Sequence, residues 1–268
     1  YFKEMKKIIV LGTMVLVALF VANSYATEGA PTPKKASETK IQYFPDEQLE
    51  FEVVYHWGLI WKTAGRATLT LRNVGDNYET MLTARTISWA ESLCKVRDTL
   101  QCTIQRDNLR PLIYKKHTHE KNYHANDMVK YSYPGNVVVG RCSRTKPDEP
   151  TLNLIFQADN EAYDMLSIFY YLRALDFDTM TTEKVTTVFS GKQKETLRVR
   201  YVGKEEAELR DKSRHMAYHI KFTFKSDKDK KSSEDLDAWI SVDAPHIPLV
   251  CKGKVAVGEV RAYFVPQK

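Results

Sequence analysis

Apolar and polar residues alternate along most of this chain, the period-2 pattern of half-buried β-strands. In LEFEVVYHW (49–57), Leu49, Phe51, Val53 and Tyr55 fall on one face, with Glu50, Glu52 and His56 on the other. TAGRATLTLRNV (63–74) sets Ala67, Leu69 and Leu71 against Arg66, Thr68, Thr70 and Arg72. A Gly75-Asp76-Asn77 turn follows, and YETMLTARTIS (78–88) resumes the alternation. Two such runs around a Gly-Asp turn predict a hairpin. The rhythm returns in RDTLQCTIQ, LIYKKHTHEKNY, DMVKYSY, VVVGRCS and TLNLIF, and later in KVTTVFSG, ETLRVRYVG, HMAYHIKFTFK, LDAWISVD and VAVGEVRAYFV. About a dozen closely spaced strands predict an antiparallel meander. The long runs at 215–225 and 255–265 point to a large, curved sheet.

One segment breaks the pattern. YDMLSIFYYLRALDF (163–177) has helical length and is apolar almost all the way round. Met165, Ile168 or Phe169, Leu172 and Leu175 form one stripe; Ala162, Leu166 and Tyr170 form another; Tyr163, Tyr171 and Ala174 cover much of the remainder. Asp159 or Asn160 can cap it, with Glu161 and Asp164 placed to suit the helix dipole in the first turn. The segment is too short for a membrane span. Such a helix is buried on more than one side, and the only partner available is the sheet. A sheet of this size curls, and its concave side accepts the helix as a plug or lid. The expected fold is therefore all-β: a large curved antiparallel sheet or open barrel with one main helix packed on the concave face. A division at 147–162, marked by Pro147 and Pro150, would give two domains instead; the length suits one β-rich domain over 48–268.

The first residues place this domain outside the cytoplasm. Lys6-Lys7 precede an uncharged run from Ile8 to Val21, and Ser24-x-Ala26 closes it. That is the anatomy of a secretory signal peptide cleaved after Ala26. Residues 1–26 are read as a pre-sequence starting at Met5, and 27–47, beginning TEGAPTPKK, as a flexible tether. The expected location is periplasmic or secreted. The four cysteines (Cys94, Cys102, Cys142, Cys251) form no CxxC. An exported chain permits three pairings, and the spacing favours structural thiols, free or loosely paired, over zinc or redox chemistry. The formal charge of +6 is mild and interspersed. The one dense run, SDKDKKSSED (226–235), mixes signs, so no nucleic-acid partner is expected.

Four stretches together carry a family resemblance: FEVVYHWGLIWKTAGRATLTL (51–71), KVRDTLQCTIQRDNLRPLIYKKHTHEKNYHANDMVKY (95–131), the helix region at 163–177, and LDAWISVDAPHIPLVCKGKVAVGEVRAYF (236–264). They resemble the domain-of-unknown-function 3108 family of exported bacterial proteins over roughly 48–265. The shared features have a structural flavour: Gly58 and Gly65 about an aromatic turn, Asp98 in a strand pair, Glu120 with Tyr123, and Trp239 in a late strand. The resemblance implies a β-rich envelope protein and brings no catalytic residues with it. By fold-level analogy the lipoprotein carriers, with a curved antiparallel sheet and plugging helices, are similar.

Candidate chemistry is sparse. No GxSxG, P-loop or GxGxxG is present, and no cofactor is expected. His117 and His119 share a strand face as HxH metal ligands do, but Lys115, Lys116 and Lys121 beside them disfavour a cation. Asp98 facing inward needs a buried partner, for which Arg85 is the candidate. The ligand-binding candidates are Tyr163, Phe169, Tyr170 and Tyr171 of the helix, with Trp57 and Trp61 of the first hairpin. Together these favour a non-enzymatic protein holding an apolar or amphipathic, lipid-like ligand between sheet and helix. A scaffold binding another envelope protein is the alternative. A glycan-directed enzyme ranks third.

Overall fold

The computed structural model describes residues 43–92, 94–227, 233, 235–255 and 258–267. The expected signal peptide and residues 27–42 of the expected tether lie outside the described residues. Fifteen strands form one sheet. The N-terminal run is β1 (Glu47–Trp57), β2 (Ile60–Val74), β3 (Asn77–Thr86), β4 (Arg97–Gln105), β5 (Pro111–Glu120), β6 (Tyr123–Ser132), β7 (Val137–Lys146) and β8 (Glu149–Asp159). The C-terminal run is β9 (Ala162–Tyr163), β10 (Lys184–Phe189), β11 (Lys194–Glu208), β12 (Arg214–Ser226), β13 (Leu236–Ser241), β14 (Pro248–Lys254) and β15 (Glu259–Val265). Two short helices interrupt them, α1 (Ser88–Glu91) and α2 (Ser167–Arg173).

The sheet is all-β and barrel-like, as the alternation predicts. Its order is β8-β7-β6-β5-β4-β3-β2-β1-β15-β14-β13-β12-β11-β10-β9. Every pairing is antiparallel except β9 with β10. Residues 149–159, within the 147–162 segment that carries Pro147 and Pro150, form β8 and continue the same sheet through the ladder with β7. The inward faces are those the pattern assigns. Leu49, Phe51 and Val53 of β1, Ala67, Leu69 and Leu71 of β2, and Leu82 and Ala84 of β3 belong to one core cluster with the helix residues.

Antiparallel order fixes which connections share an end. The β1–β2, β3–β4, β5–β6, β7–β8, β10–β11 and β14–β15 connections lie at one rim, called here the upper rim. Chain entry near Phe44 and the turns after β2, β4, β6 and β11 lie at the lower one.

Helix α2 lies within the core enclosed by the sheet. All seven of its residues are buried, so it is enclosed on every side and does not merely roof the sheet. It is shorter than the apolar run suggests, because Ala162 and Tyr163 serve as β9 instead. Asp164, and neither Asp159 nor Asn160, caps it: its Oδ1 accepts the N–H groups of Leu166 and Ser167 at 2.9 and 2.8 Å. In return the Asp164 N–H donates to the Ser167 hydroxyl at 2.9 Å. This reciprocal arrangement satisfies donors that a helix start leaves open.

Side-chain bonds at three residues, Asp164, Tyr170 and Arg173, pin the helix to the wall. The Cys102 thiol of β4 donates to Asp164 Oδ2 at 3.1 Å, and the Tyr170 hydroxyl lies 3.0 Å from that of Thr80 on β3. At the far end Arg173 is fully buried and forks onto Glu47 of β1 at 2.5 and 2.8 Å. Its Nε and Nη2 also donate to the carbonyls of His246 and Pro245. All four cysteines are free and buried.

Candidate functional site

β8 and β9 are the two ends of the sheet, and no backbone ladder joins them. Side chains close this seam instead. Phe189, the last residue of β10, stands 5.7 Å from Phe156 of β8 and stacks on Tyr131 of β6 at 5.8 Å. Gly140 of β7 leaves the room it needs: a Cβ there would stand 2.5 Å from Phe189 Cδ2. Lys194 Nζ reaches across to the Gln157 carbonyl at 3.2 Å. Partly buried Leu154 and Phe156 line the β8 side.

Above the aromatic seam, toward the upper rim, the interior turns polar. The inward positions of four adjacent strands carry Asp98 on β4, Lys116 and Thr118 on β5, Asp127 on β6 and Arg144 on β7, brought level by the ladders that pair Asp127 with Lys116 and Arg144. The β10–β11 turn enters from the other side of the seam. Its Gly191, at φ +92, has no room for a side chain: a Cβ would lie 2.8 Å from Asp127 Cβ. Lys192 and Glu195 therefore join the same cluster.

Electrostatics follow from this burial. Desolvation raises the carboxyl pKa of Asp98 and Asp127, the latter against the pull of Arg144, Lys116 and Lys192. Glu120, at the end of β5, is pushed up to about 7, by burial first and by Asp98 second. Desolvation holds Lys192 below the ordinary lysine range, and the neighbouring charges of Arg144 and Lys116 add to that.

The polar atoms here are incompletely satisfied. Asp98 Oδ1 accepts the His119 N–H at 3.0 Å, but Oδ2 has no hydrogen-bond partner among the described residues. The same holds for the hydroxyls of Tyr114 and Tyr131 and for Asp127 Oδ1, whose 3.2 Å approach to Arg144 Nη1 is an ion pair without hydrogen-bond geometry. Each such atom would cost about 1–3 kcal/mol if left dry and unpaired. Their convergence marks a place suited to a polar group from outside the chain.

The residues proposed from sequence are divided by the structure. Tyr163 and Tyr171 pack with tilted rings, centroids 4.5 Å apart, beside the β9 edge of the seam. Tyr170 turns the other way and is core: it is fully buried and packs edge-on against Phe44 at 5.4 Å. Phe169 is 8% exposed. Trp57 and Trp61 flank the tip of the β1–β2 hairpin and are outside the core cluster that contains the helix. Trp61 stacks on His56 at 3.9 Å and lies under the Arg261 guanidinium. His117 and His119 do share the outer face of β5. His117 Nδ1 sits 2.7 Å from Asn126 Oδ1, and the His119 ring lies 4.2 Å from that of His124. No group of three metal-ligating side chains exists among the described residues. Arg85 is not the partner of Asp98: it pairs in register with Arg97, one position away, and so points outward while Asp98 points in. The structure supplies Lys116 and the His119 N–H instead.

Sequence reasoning did not bring together Lys116, Asp127, Arg144 and Lys192. The available signal was the inward phase of each strand, on which a charged residue is an anomaly.

A family model described as a protein of unknown function (DUF3108) matches residues 50–265. No curated protein sequence matches the chain. Among solved structures, a β-barrel-like protein of domain of unknown function DUF1849 from Brucella abortus is similar in fold. Its TM-score is 0.58 at 12% identity, over 84% of this chain and 97% of that one.

Proposed function

The chain belongs to the DUF3108 family, and we propose that it is a non-enzymatic binding protein of the cell envelope for an amphipathic ligand with an acidic head group. The head group sits among Lys116, Arg144 and Lys192 inside the upper rim, and the apolar part lies along the seam beside Phe156 and Phe189. The observation that carries this reading is the convergence of buried polar atoms that lack a hydrogen bond (Asp98 Oδ2, the Tyr114 hydroxyl and Asp127 Oδ1, the last held only by its ion pair with Arg144) beside three cations. Apolar walls with a few convergent polar groups are the usual make-up of a ligand site. Charge-assisted bonds from Lys and Arg suit a carboxylate or phosphate.

Solvent extraction of the purified protein followed by mass spectrometry identifies any bound lipid. In parallel, a fluorescent fatty acid and the corresponding fatty alcohol are titrated into wild type and Lys192→Met. The expected result is that the acid binds the wild type, that Lys192→Met weakens it at least about tenfold, and that the alcohol is indifferent to the substitution. No extracted lipid together with no probe binding overturns the proposal. In that outcome the eleven-residue edge strand β8, with Leu152 and Ile155 exposed, favours strand addition by a partner protein.

A further inference from the structure

The β1–β2 connection is the most exposed apolar feature among the described residues. Leu59 is 101% exposed, Ile60 46% and Trp61 42%. An isolated exposed leucine needs no explanation, but three consecutive large apolar residues at the apex of a hairpin do. The hairpin is stiff: its ladder runs up to Trp57 paired with Ile60, Gly58 turns at φ +56, and the Trp89 indole N–H of α1 donates to the Thr63 carbonyl at 2.6 Å. From the other side the backbone of Gly258 is pressed against that of His56. The tip therefore cannot fold its side chains back onto the barrel.

The charges around the tip are arranged by sign. Glu91 and Glu259, the carboxylates beside it, are held by Arg97 and Arg261. Lys62 lies over the Trp89 ring at 4.3 Å with its side chain exposed. Lys95 and Lys121, joined by a 2.8 Å backbone bond, stand exposed on the next two connections of the same rim. Aliphatic residues at an apex, a tryptophan just behind them and lysines behind that is the order in which a bilayer presents acyl chains, interface and anionic head groups.

We infer that the upper rim docks on an anionic lipid bilayer, with Leu59 and Ile60 inserted below the head groups, Trp61 at the interface, and Lys62, Lys95 and Lys121 against the lipid charge. The inference stands apart from the ligand reading. It does place the charged interior, which lies toward this same rim, nearest the membrane surface.

The test is co-sedimentation with phosphatidylcholine vesicles with and without phosphatidylglycerol, read also by tryptophan emission. Wild type is expected to bind the mixed vesicles with a blue shift and to release in high salt. The double variant Leu59→Ser, Ile60→Ser is expected to lose at least about tenfold in partitioning with an unchanged melting temperature, since Leu59 touches little in the folded protein. Lys62→Glu with Lys121→Glu should abolish the preference for phosphatidylglycerol. Lys192→Met should bind vesicles normally, which separates this inference from the ligand site. Absence of vesicle binding by the wild type overturns the inference, as does equal binding by the Leu59/Ile60 double variant. So does a dimer, seen by light scattering, that the double variant dissolves, because the tip would then be a contact between two copies.

Discussion

Arg173→Met tests how the barrel holds its helix. The side chains of Arg173 and Glu47 are only 1% and 7% exposed, so neither charge has water to fall back on. The substitution leaves Glu47 ionised and unpaired, and it removes the donors serving the carbonyls of Pro245 and His246. Methionine keeps most of the apolar contact with the rings of Phe44 and Tyr170, over which the guanidinium lies at 4.7 and 5.2 Å. Stranding one member of a buried pair costs about 3–5 kcal/mol. Urea unfolding followed by tryptophan fluorescence should place the loss in that range, with a drop in melting temperature of roughly 10 °C for a domain of this size. Glu47→Gln should cost somewhat less, because the amide oxygen still accepts one bond. Combining Glu47→Leu with Arg173→Met removes both charges, and the double variant should be more stable than the sum of its singles by about 2 kcal/mol. A loss below about 1 kcal/mol for Arg173→Met, or simple additivity in the cycle, would refute the view that this pair is sealed from solvent and anchors the helix.

Glu120, with its folded pKa near 7 against an ordinary 4.5, holds a proton between those pH values that the unfolded chain has lost. Its contribution is therefore most favourable below about pH 4.5 and declines as pH rises through 7, by on the order of 3 kcal/mol. Glu120→Gln should flatten that limb of the stability–pH curve and stabilise the protein at pH 8, as read by melts across pH; an unchanged limb would mean that Glu120 is solvated. Gly140→Ala should displace Phe189 and loosen the seam, giving faster amide exchange in β8 and β10 while the β1–β2 ladder is unaffected. Leu172→Ala, deep in the plug, should cost about 2–5 kcal/mol by denaturant unfolding. The Cys251 thiol, buried and pushed up to about 12, should resist alkylation at pH 8 until the barrel unfolds, as mass spectrometry of iodoacetamide-treated protein would show.

What the sequence made legible was whatever depends on local period. The phases of β1 to β4 could be read directly, because one face of each strand meets the core and the other meets water. Two strand boundaries could not. LIYKKHTHEKNY reads as one run, yet the chain reverses at Lys121, which adopts φ 51 without the glycine or proline that usually signals a turn. β14, with its first four residues all buried, has no alternation to read. The helix was visible as an apolar run, but the choice of Asp164 as its cap goes with a bond to Cys102 across 62 positions, which no local pattern displays. The charged interior was hidden for the same reason. Asp98 was noticed as an inward acid, but its neighbours are assigned by register across strands and by a turn from the far side of the seam.

The strand order also has a consequence for how the chain folds. Every antiparallel pairing joins strands adjacent in sequence except β1 with β15. The molecule is thus two local meanders, β1–β8 and β9–β15, sewn together by a ladder that links Glu50 to Val265 and His56 to Glu259. Hairpins close in microseconds, whereas bringing the two ends of the chain together carries the main loop-closure entropy. The β1–β15 ladder is therefore the step expected to limit the folding rate. Moving the chain termini to Asn160-Glu161, between β8 and β9 where no ladder runs, with the old ends joined, would turn the β1–β15 ladder into another hairpin without creating a new end-to-end pairing, and the permuted chain should fold markedly faster in stopped-flow refolding.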